Sequence, residues 1–143
     1  SRVFSKGNPD CHIVLRGGKR PNYDPVSVRE AQELLSKHPE LTQAVIIDCS
    51  HSNSGKDYRR QGEVFNHVLI QRLGLTSGVH IKPNKGIRGM MIESNVEAGS
   101  QPFRYGETRK EDLNPYVSIT DACIGWDETE ALILSAYEQL KAN

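Results

Sequence analysis

Three short apolar runs, each ended abruptly by polar residues, constrain the fold of this chain more than any other feature. They occupy residues 12–15, 44–47 and 89–92, and they lead into Arg16, His51 and Glu93. Runs of this kind are typical of buried parallel strands. In α/β proteins, ligands bind at the carboxyl edge of such a sheet. The sequence therefore predicts a guanidinium, an imidazole and a carboxylate at one sheet edge.

Each predicted strand is followed by a segment with helix signals. The predicted helices begin at a capping box of Ser27 and Glu30, at about residue 56, and at a box of Asp127 and Glu130. Gly74 is expected to cap the second helix, and Ile133, Ala136, Tyr137 and Leu140 to form the buried face of the third. This order predicts an α/β fold of three βα units with parallel strands and right-handed crossovers.

Two segments are too long and polar for tight turns. Residues 76–86 are expected to form a surface loop, and residues 94–125 a long loop that leaves the active edge. Residues 1–143 show no second domain, so we treat them as a single unit. Three parallel strands make a small open sheet or part of a larger structure, and a complete barrel needs roughly 250 residues. We favour a fragment.

Composition excludes several classes of function. The 143 residues carry 18 basic and 18 acidic side chains, which gives no electrostatic signature of a nucleic-acid or membrane-surface binder. No apolar stretch approaches the roughly 20 residues that span a bilayer. The odd, widely spaced cysteines Cys11, Cys49 and Cys123 are read as reduced thiols of a cytoplasmic protein, each a small buried core residue.

The polar residues at the strand ends suggest two kinds of binding. His51 and Glu93, joined by Asp121, combine an imidazole with two carboxylates, a mixture that suits Mn²⁺, Fe²⁺, Co²⁺ or Zn²⁺. These groups also commonly pair with each other without a metal. Arg16 begins an Arg-Gly-Gly turn and suits a phosphate or carboxylate, or else a structural ion pair. Lys56 is a second candidate anion contact, or a solvated lysine.

Nucleophilic catalysis is not expected. Ser50 and His51 are adjacent on an extended segment, so their side chains point to opposite faces. The remaining histidines are read as core or surface residues and are His12, His38, His67 and His80.

Four sequence blocks together resemble one enzyme family. They are DCHIVLRGG at residues 10–18, DCSHSNS at 48–54, MIES at 91–94 and SITDACIGW at 118–126. In this order they closely resemble the C-terminal portion of the type I 3-deoxy-D-arabino-heptulosonate 7-phosphate (DAHP) synthases. The last block is long and specific, and the resemblance covers essentially the whole chain.

The resemblance implies a (β/α)₈ barrel, of which this chain would supply strands six to eight and lack the N-terminal half. It implies a transferase that condenses phosphoenolpyruvate with erythrose 4-phosphate, releasing phosphate, in the shikimate pathway of aromatic amino acid biosynthesis. By resemblance, Arg16 binds the phosphate of phosphoenolpyruvate, and His51, Glu93 and Asp121 bind a divalent metal. His51 also lies close to phosphoenolpyruvate. The family's fourth metal ligand, a cysteine, belongs to the first strand.

The resemblance leads to one expectation about activity and leaves two alternative functions. The chain alone is inactive, because it holds only part of the active site. The sister synthase that makes 3-deoxy-D-manno-octulosonate 8-phosphate is an alternative, against which the blocks containing Arg16 and residues 119–126 argue. A non-catalytic assembly module is the other alternative, since an unpaired sheet edge invites pairing with another copy. For each of these functions we expect the protein to form a homo-oligomer.

Overall fold

The three predicted strands and three predicted helices are present in the predicted order, with two additional short strands before the last of the predicted strands. The computed structural model describes residues 2–76, 79–80 and 82–142. Its elements are β1 (Ile13–Leu15), α1 (Pro25–Leu35), β2 (Val45–Asp48), α2 (Gln61–Leu73), β3 (Leu75–Thr76), β4 (Val79–His80), β5 (Ile87–Met91) and α3 (Trp126–Lys141). The three strands that the sequence predicts are β1, β2 and β5. Their bounds differ from the expected ones by one or two residues.

These three strands form one parallel sheet in the order β1-β2-β5. Leu15 lies opposite Ile47, and Asp48 lies opposite Met91. All three strands therefore end at the same edge of the sheet, as the sequence predicts. Within the described residues the sheet is open, so the parallel α/β layer is established and a closed barrel is not.

The core forms between the central strand and two helices. Val45 and Ile47 of β2 have no exposed surface, and they belong to one buried cluster with Val28 of α1 and with Val64 and Val68 of α2. Burying side chains of this size stabilises each by about 1.5–3 kcal/mol relative to exposure. The core therefore anchors the strand whose end leads to His51.

The segment that follows α2 is not simply a surface loop. Strands β3 and β4 pair antiparallel, with Leu75 opposite His80 and Thr76 opposite Val79. The predicted loop over residues 76–86 is therefore wrong for Thr76 and for Val79–His80. Residues 77, 78 and 81 of that segment lie outside the described part of the chain.

Helix α1 begins earlier than the predicted capping box. Asp24 is the N-cap, and its Oδ1 accepts hydrogen bonds from the backbone N–H groups of Val26 and Ser27 at 3.0 and 3.1 Å. Ser27 Oγ donates to Asp24 Oδ2 at 2.6 Å. Pro25 occupies the first helical position, where its missing N–H costs nothing. The cap is therefore three residues before the predicted one, because an Asp-Pro pair outcompetes the Ser27 signal.

Helix α2 begins later than predicted. Lys56 has a φ of 63°, a left-handed conformation that cannot start a right-handed helix. A single 3₁₀ turn over Tyr58–Arg60 leads into the α-helix at Gln61. Gly74 ends the helix with a φ of 73°, so the predicted glycine C-cap is confirmed.

Helix α3 buries a narrower face than predicted. It begins after Gly125 without a side-chain cap, so the box of Asp127 and Glu130 is wrong. Ala136 of the predicted face is buried, but Ile133 and Tyr137 are 51% and 56% exposed. Within the described chain α3 packs against α2, and a helix buries only the stripe that faces its neighbours.

The cysteines differ in exposure. All three are free thiols, but Cys11 is exposed, Cys49 is buried and Cys123 is partly buried. The core interpretation holds for Cys49 and is wrong for Cys11, which precedes β1. In the part of the chain that the structure covers, no helix combines the length and apolar character required to cross a membrane.

Candidate metal centre

Three residues that are far apart in the sequence meet at the carboxyl edge of the sheet. His51, Glu93 and Asp121 each offer a ligand atom, and these atoms lie within 4.8 Å of one another. They line a cavity of about 190 Å³. The other residues lining it are Ser50, Lys56, Tyr58 and Ala122. The edge therefore gathers the imidazole and the two carboxylates that the sequence singles out.

The topology explains how Asp121 reaches the group. Glu93 follows β5 by two residues, and its C=O accepts a hydrogen bond from the N–H of Ile124 at 3.0 Å. Ser94 and Ile124 form a parallel bridge, and Gly99 and Cys123 an antiparallel one. The final stretch of the predicted loop thus lies alongside the end of β5 like a further parallel segment, which carries Asp121 to the site.

His51 is held from both sides. Its Nδ1 lies 2.8 Å from Asp48 Oδ2, and its Nε2 lies 3.4 Å from Glu93 Oε1. Asp48 is only 3% exposed, and its Oδ1 also accepts the backbone N–H of Ser50 at 2.8 Å. A carboxylate on one ring nitrogen places the proton there and leaves the other nitrogen free to bind a metal. The orientation of His51 therefore suits Nε2 for ligation.

Glu93 is oriented by the serine next to His51. Ser50 Oγ donates to Glu93 Oε2 at 2.8 Å, which leaves Oε1 facing the imidazole. Ser50 is buried, and its hydroxyl is committed to this carboxylate. The expectation that Ser50 and His51 lie on an extended segment and point to opposite faces is wrong. Both residues follow the end of β2, His51 has a φ of 50°, and both side chains contact Glu93 and line the same cavity.

Asp121 forms the exposed wall of the site. The thiol of Cys123 donates to the main-chain oxygen of Asp121 at 3.5 Å. Burial, with the negative charges of Glu93 and Asp121, raises the pKa of the Cys123 thiol, and a hydrogen bond with Ser118 opposes the shift. Cys123 is not one of the three residues whose ligand atoms lie within 4.8 Å of one another.

Arg16 lies at the same sheet edge but outside this cavity. It directly follows β1, it is exposed, and in the described chain no carboxylate lies within ion-pair distance of it. The alternative of a structural ion pair therefore has no support among those residues. Gly17 has a φ of 78°, and a Cβ there would lie 2.6 Å from Ser52 Cβ. Only glycine fits this turn.

Asn53 connects the Arg16 turn to the His51 turn, a role that its sequence position does not reveal. Its side chain is 1% exposed, and Nδ2 donates to the carbonyls of Leu15 and Asp48 at 3.0 and 2.8 Å. Its Oδ1 accepts the backbone N–H of Asn22 at 2.8 Å. One buried amide thus fixes the ends of two neighbouring strands.

Lys56 and Tyr58 complete the cavity. The N–H of Lys56 donates to the carbonyl of His51 at 2.7 Å, which closes the turn between them. Both residues have left-handed backbones, with φ of 50° at His51 and 63° at Lys56. Such strained positions cluster at functional sites. Lys56, predicted as an anion contact, and Tyr58 both line the cavity.

The donor set fits a divalent transition metal. An imidazole nitrogen and carboxylate oxygens are ligands that Mn²⁺, Fe²⁺, Co²⁺ and Zn²⁺ accept. The Asp48 carboxylate behind His51 is the partner that metal-binding histidines usually have. Pairing of these side chains with each other is also present, through the contacts of His51 with Asp48 and Glu93.

Residues 2–134 match the family model described as the DAHP synthetase I family. The chain belongs to this family. It is 40% identical over 136 residues to the Tyr-sensitive phospho-2-dehydro-3-deoxyheptonate aldolase of Escherichia coli K12. It is 42% identical over 140 residues to the Phe-sensitive enzyme of the same strain. These matches cover 95% and 98% of this chain but 35% and 36% of the relatives.

A solved structure agrees with the family. The phospho-2-dehydro-3-deoxyheptonate aldolase of Francisella tularensis superposes with a TM-score of 0.77 at 34% identity. The alignment covers 96% of this chain and 36% of that one. The chain thus spans about a third of the length of the proteins that it matches.

Proposed function

We propose that this chain forms part of the active site of a cytoplasmic DAHP synthase on a (β/α)₈ barrel. The reaction condenses phosphoenolpyruvate with erythrose 4-phosphate and releases phosphate. The observation that supports the proposal most is the convergence of His51, Glu93 and Asp121, whose ligand atoms lie within 4.8 Å of one another in a member of this family.

His51, Glu93 and Asp121 would hold a divalent metal. When bound there, the ion supplies Lewis-acid polarisation of the aldehyde oxygen of erythrose 4-phosphate. His51 contributes Nε2 because Asp48 occupies Nδ1. Glu93 contributes Oε1 because Ser50 occupies Oε2. The chain therefore presents one donor atom from each of these two residues, His51 Nε2 and Glu93 Oε1, which lie 3.4 Å apart.

Arg16 and Lys56 would bind the anionic groups of the substrates. The guanidinium of Arg16 is exposed at the strand edge and has no ion-pair partner in the described chain, so it is available for a phosphate. Lys56 lines the cavity beside His51, where a cation complements phosphoenolpyruvate. Holding both reactants in place contributes several kcal/mol to lowering a two-substrate barrier.

The chain by itself is proposed to be inactive. By the family resemblance, a cysteine ligand and further cationic residues would come from segments outside this sequence. A site with three ligands still binds a metal, but it lacks the groups that grip the second substrate. Metal binding and catalysis therefore separate, and they need separate measurements.

Mn²⁺ binding to the 143-residue chain tests the site. Electron paramagnetic resonance distinguishes free from bound Mn²⁺ and yields a Kd. His51→Ala and Glu93→Gln are each expected to weaken binding at least tenfold, because each removes a ligand. His38→Ala is the matched control, since His38 is an exposed histidine paired with Glu40. Equal Kd values for all variants would contradict the proposed site.

Phosphate release tests the division between binding and turnover. The chain is expected to release no phosphate from phosphoenolpyruvate and erythrose 4-phosphate with Mn²⁺ present. Turnover that depends on both substrates would show that the chain needs no further segment. Replacing erythrose 4-phosphate by arabinose 5-phosphate in the complete enzyme distinguishes DAHP synthase from the sister synthase.

Assembly is a second candidate function. Within the described sheet β1 is an edge strand, and an unpaired edge favours pairing with another copy of the chain. The mass of the chain in solution, measured with and without Mn²⁺, separates the two candidates. A scaffold keeps the same oligomeric mass in both conditions and binds no metal through His51.

A further inference from the structure

Gln61 is a polar residue in a position that otherwise suits an apolar one. It is the first residue of α2 and has no exposed surface. The neighbouring buried positions of the helix are Val64, Phe65 and Val68. Burying an amide costs free energy unless both its donor and its acceptor find partners. The partners of Gln61 therefore indicate why an amide is present.

Both ends of this amide bind the main chain of Glu93. Gln61 Nε2 donates to the carbonyl of Glu93 at 3.1 Å, and the N–H of Glu93 donates to Gln61 Oε1 at 2.7 Å. Glu93 lies beyond the end of β5 at Met91, where the strand ladder no longer holds its peptide groups. Two hydrogen bonds from one planar group fix both the place and the direction of this residue's backbone.

The carbonyl of Glu93 also connects the segments that carry Glu93 and Asp121. Besides Gln61, the Glu93 carbonyl accepts the N–H of Ile124 at 3.0 Å, in the segment that carries Asp121. Ser50 meanwhile holds the Glu93 carboxylate through Oε2 at 2.8 Å. The backbone and the side chain of Glu93 are thus held by different residues: Gln61 and Ile124 hold its peptide groups, and Ser50 holds its carboxylate.

We propose that Gln61 is a positioning residue for the metal centre: its amide holds the Glu93 backbone where the carboxylate meets His51 Nε2. This role rests on the proposed metal site, although Gln61 itself does not line the cavity. Losing such a residue loosens one ligand, so metal affinity falls while the donor set stays intact. Outer partners of metal ligands typically contribute 10–100-fold to affinity.

A purely structural role would have different consequences. Gln61 also attaches α2 to the sheet, so its replacement lowers stability in either case. Only a positioning role makes metal affinity fall more than in a control that loses a comparable hydrogen bond elsewhere. Gln71 offers that control: it is on the same helix, and its Nε2 donates to the carbonyl of Tyr23 at 2.8 Å. It lines a separate cavity between α1 and α2.

The experiment compares Gln61→Met with Gln71→Met in the 143-residue chain. Mn²⁺ is the probe, its Kd is measured by electron paramagnetic resonance, and urea unfolding reports stability. Gln61→Met is expected to raise the Kd about tenfold or more and to change the spectrum of bound Mn²⁺. Gln71→Met is expected to leave both unchanged. Gln61→Asn, a shorter amide, serves as the second variant should Gln61→Met not fold, and a raised Kd is expected there too.

The outcomes separate the inference from the function on which it rests. An unchanged Kd in a folded Gln61 variant overturns the positioning role while the metal site stands. An equal rise in Kd for the Gln61 and Gln71 variants also overturns it, because general destabilisation then explains the effect. Absence of His51-dependent Mn²⁺ binding in the unmodified chain overturns the proposed function itself.

Discussion

Asp48 and His51 are joined by a contact of 2.8 Å between Oδ2 and Nδ1, one turn apart at the end of β2. Asp48 is buried, whereas His51 is partly exposed to the cavity. The other oxygen of Asp48 accepts the N–H of Ser50. With both oxygens accepting, the carboxylate permits only one arrangement, in which Nδ1 carries the proton. The buried carboxylate of Asp48 thereby determines which ring nitrogen of the partly exposed His51 carries the proton.

Asp48→Asn is expected to weaken Mn²⁺ binding about 10–100-fold. An asparagine must accept from Ser50 with its one oxygen, which turns its NH₂ group toward His51 Nδ1. The ring then adopts the other tautomer, with the proton on Nε2, where the metal would bind. Electron paramagnetic resonance gives the Kd, and ¹⁵N NMR of the imidazole gives the tautomer.

Asp57→Asn is the control for this substitution. Asp57 is a more exposed carboxylate that pairs with the exposed Arg59. Its loss is expected to leave both the Kd and the imidazole spectrum unchanged. An unchanged tautomer in Asp48→Asn would contradict the role assigned to Asp48.

Gly17→Ala is expected to destabilise the chain more than Gly106→Ala. The two glycines have nearly equal φ, 78° and 79°, so the backbone strain of an alanine is the same, about 1–2 kcal/mol. A Cβ at Gly17 would also meet Ser52 Cβ at 2.6 Å, whereas a Cβ at Gly106 meets nothing within 4 Å. Overpacking adds roughly 1–3 kcal/mol. Urea unfolding measures the difference, and equal losses would show that Ser52 moves aside freely.

Asp24→Ala is expected to cost about 1 kcal/mol of stability, more than Ser27→Ala. Hydrogen bonds from Ser27 and then from the helix backbone lower the pKa of Asp24 below its usual 3.8. Because the pKa of Asp24 is lower in the folded state, its contribution to stability is fully present above the unfolded-state pKa. That contribution is lost as pH falls through the folded-state pKa. Urea unfolding near pH 7 and below pH 3 is therefore expected to show a smaller effect of Asp24→Ala in acid. A larger loss for Ser27→Ala would favour the capping box instead.

The thiols of Cys11 and Cys49 are expected to react at very different rates. Cys11 is exposed and reacts with a disulfide reagent in the native chain. Cys49 is fully buried, and burial, with the charge of Asp48, raises the pKa of its thiol to about 12. Because the thiolate is the reactive form, Cys49 is expected to react only after denaturation. Mass spectrometry of partly labelled protein identifies each site, and early labelling of Cys49 would contradict the packing of β2.

The sequence predicted the parallel sheet well and the first residues of the helices poorly. The apolar runs leading to Arg16, His51 and Glu93 identify the parallel strands, since burial on both faces leaves an unbroken apolar signature. The capping boxes failed because a cap depends on backbone angles, and the Asp24-Pro25 pair set those for α1. The broad apolar face of α3 failed because burial depends on which elements stand next to the helix.

The candidate site also contains some residues that the sequence identifies and others whose roles only the structure reveals. Local sequence identified His51 and Glu93, since an imidazole and a carboxylate after apolar runs are recognisable residue by residue, and the family resemblance of residues 118–126 added Asp121. Neither gave a role to Asp48, Asn53 or Gln61. Nothing in their spacing distinguishes a buried amide that holds a distant backbone from an ordinary polar residue.

The sequence by itself determined which donor side chains exist, and that Arg16, His51 and Glu93 each follow an apolar run that predicts a parallel strand. The tertiary structure alone decided that Asp121 reaches the group, because a bridge between Ser94 and Ile124 brings its segment beside β5. It also decided which atom of His51 is free, because that depends on a carboxylate placed by burial. The periodicity of the sequence indicates which face of a helix or strand is buried and where that element ends. Hydrogen bonds between distant segments form only once those elements pack, so the periodicity does not reveal them.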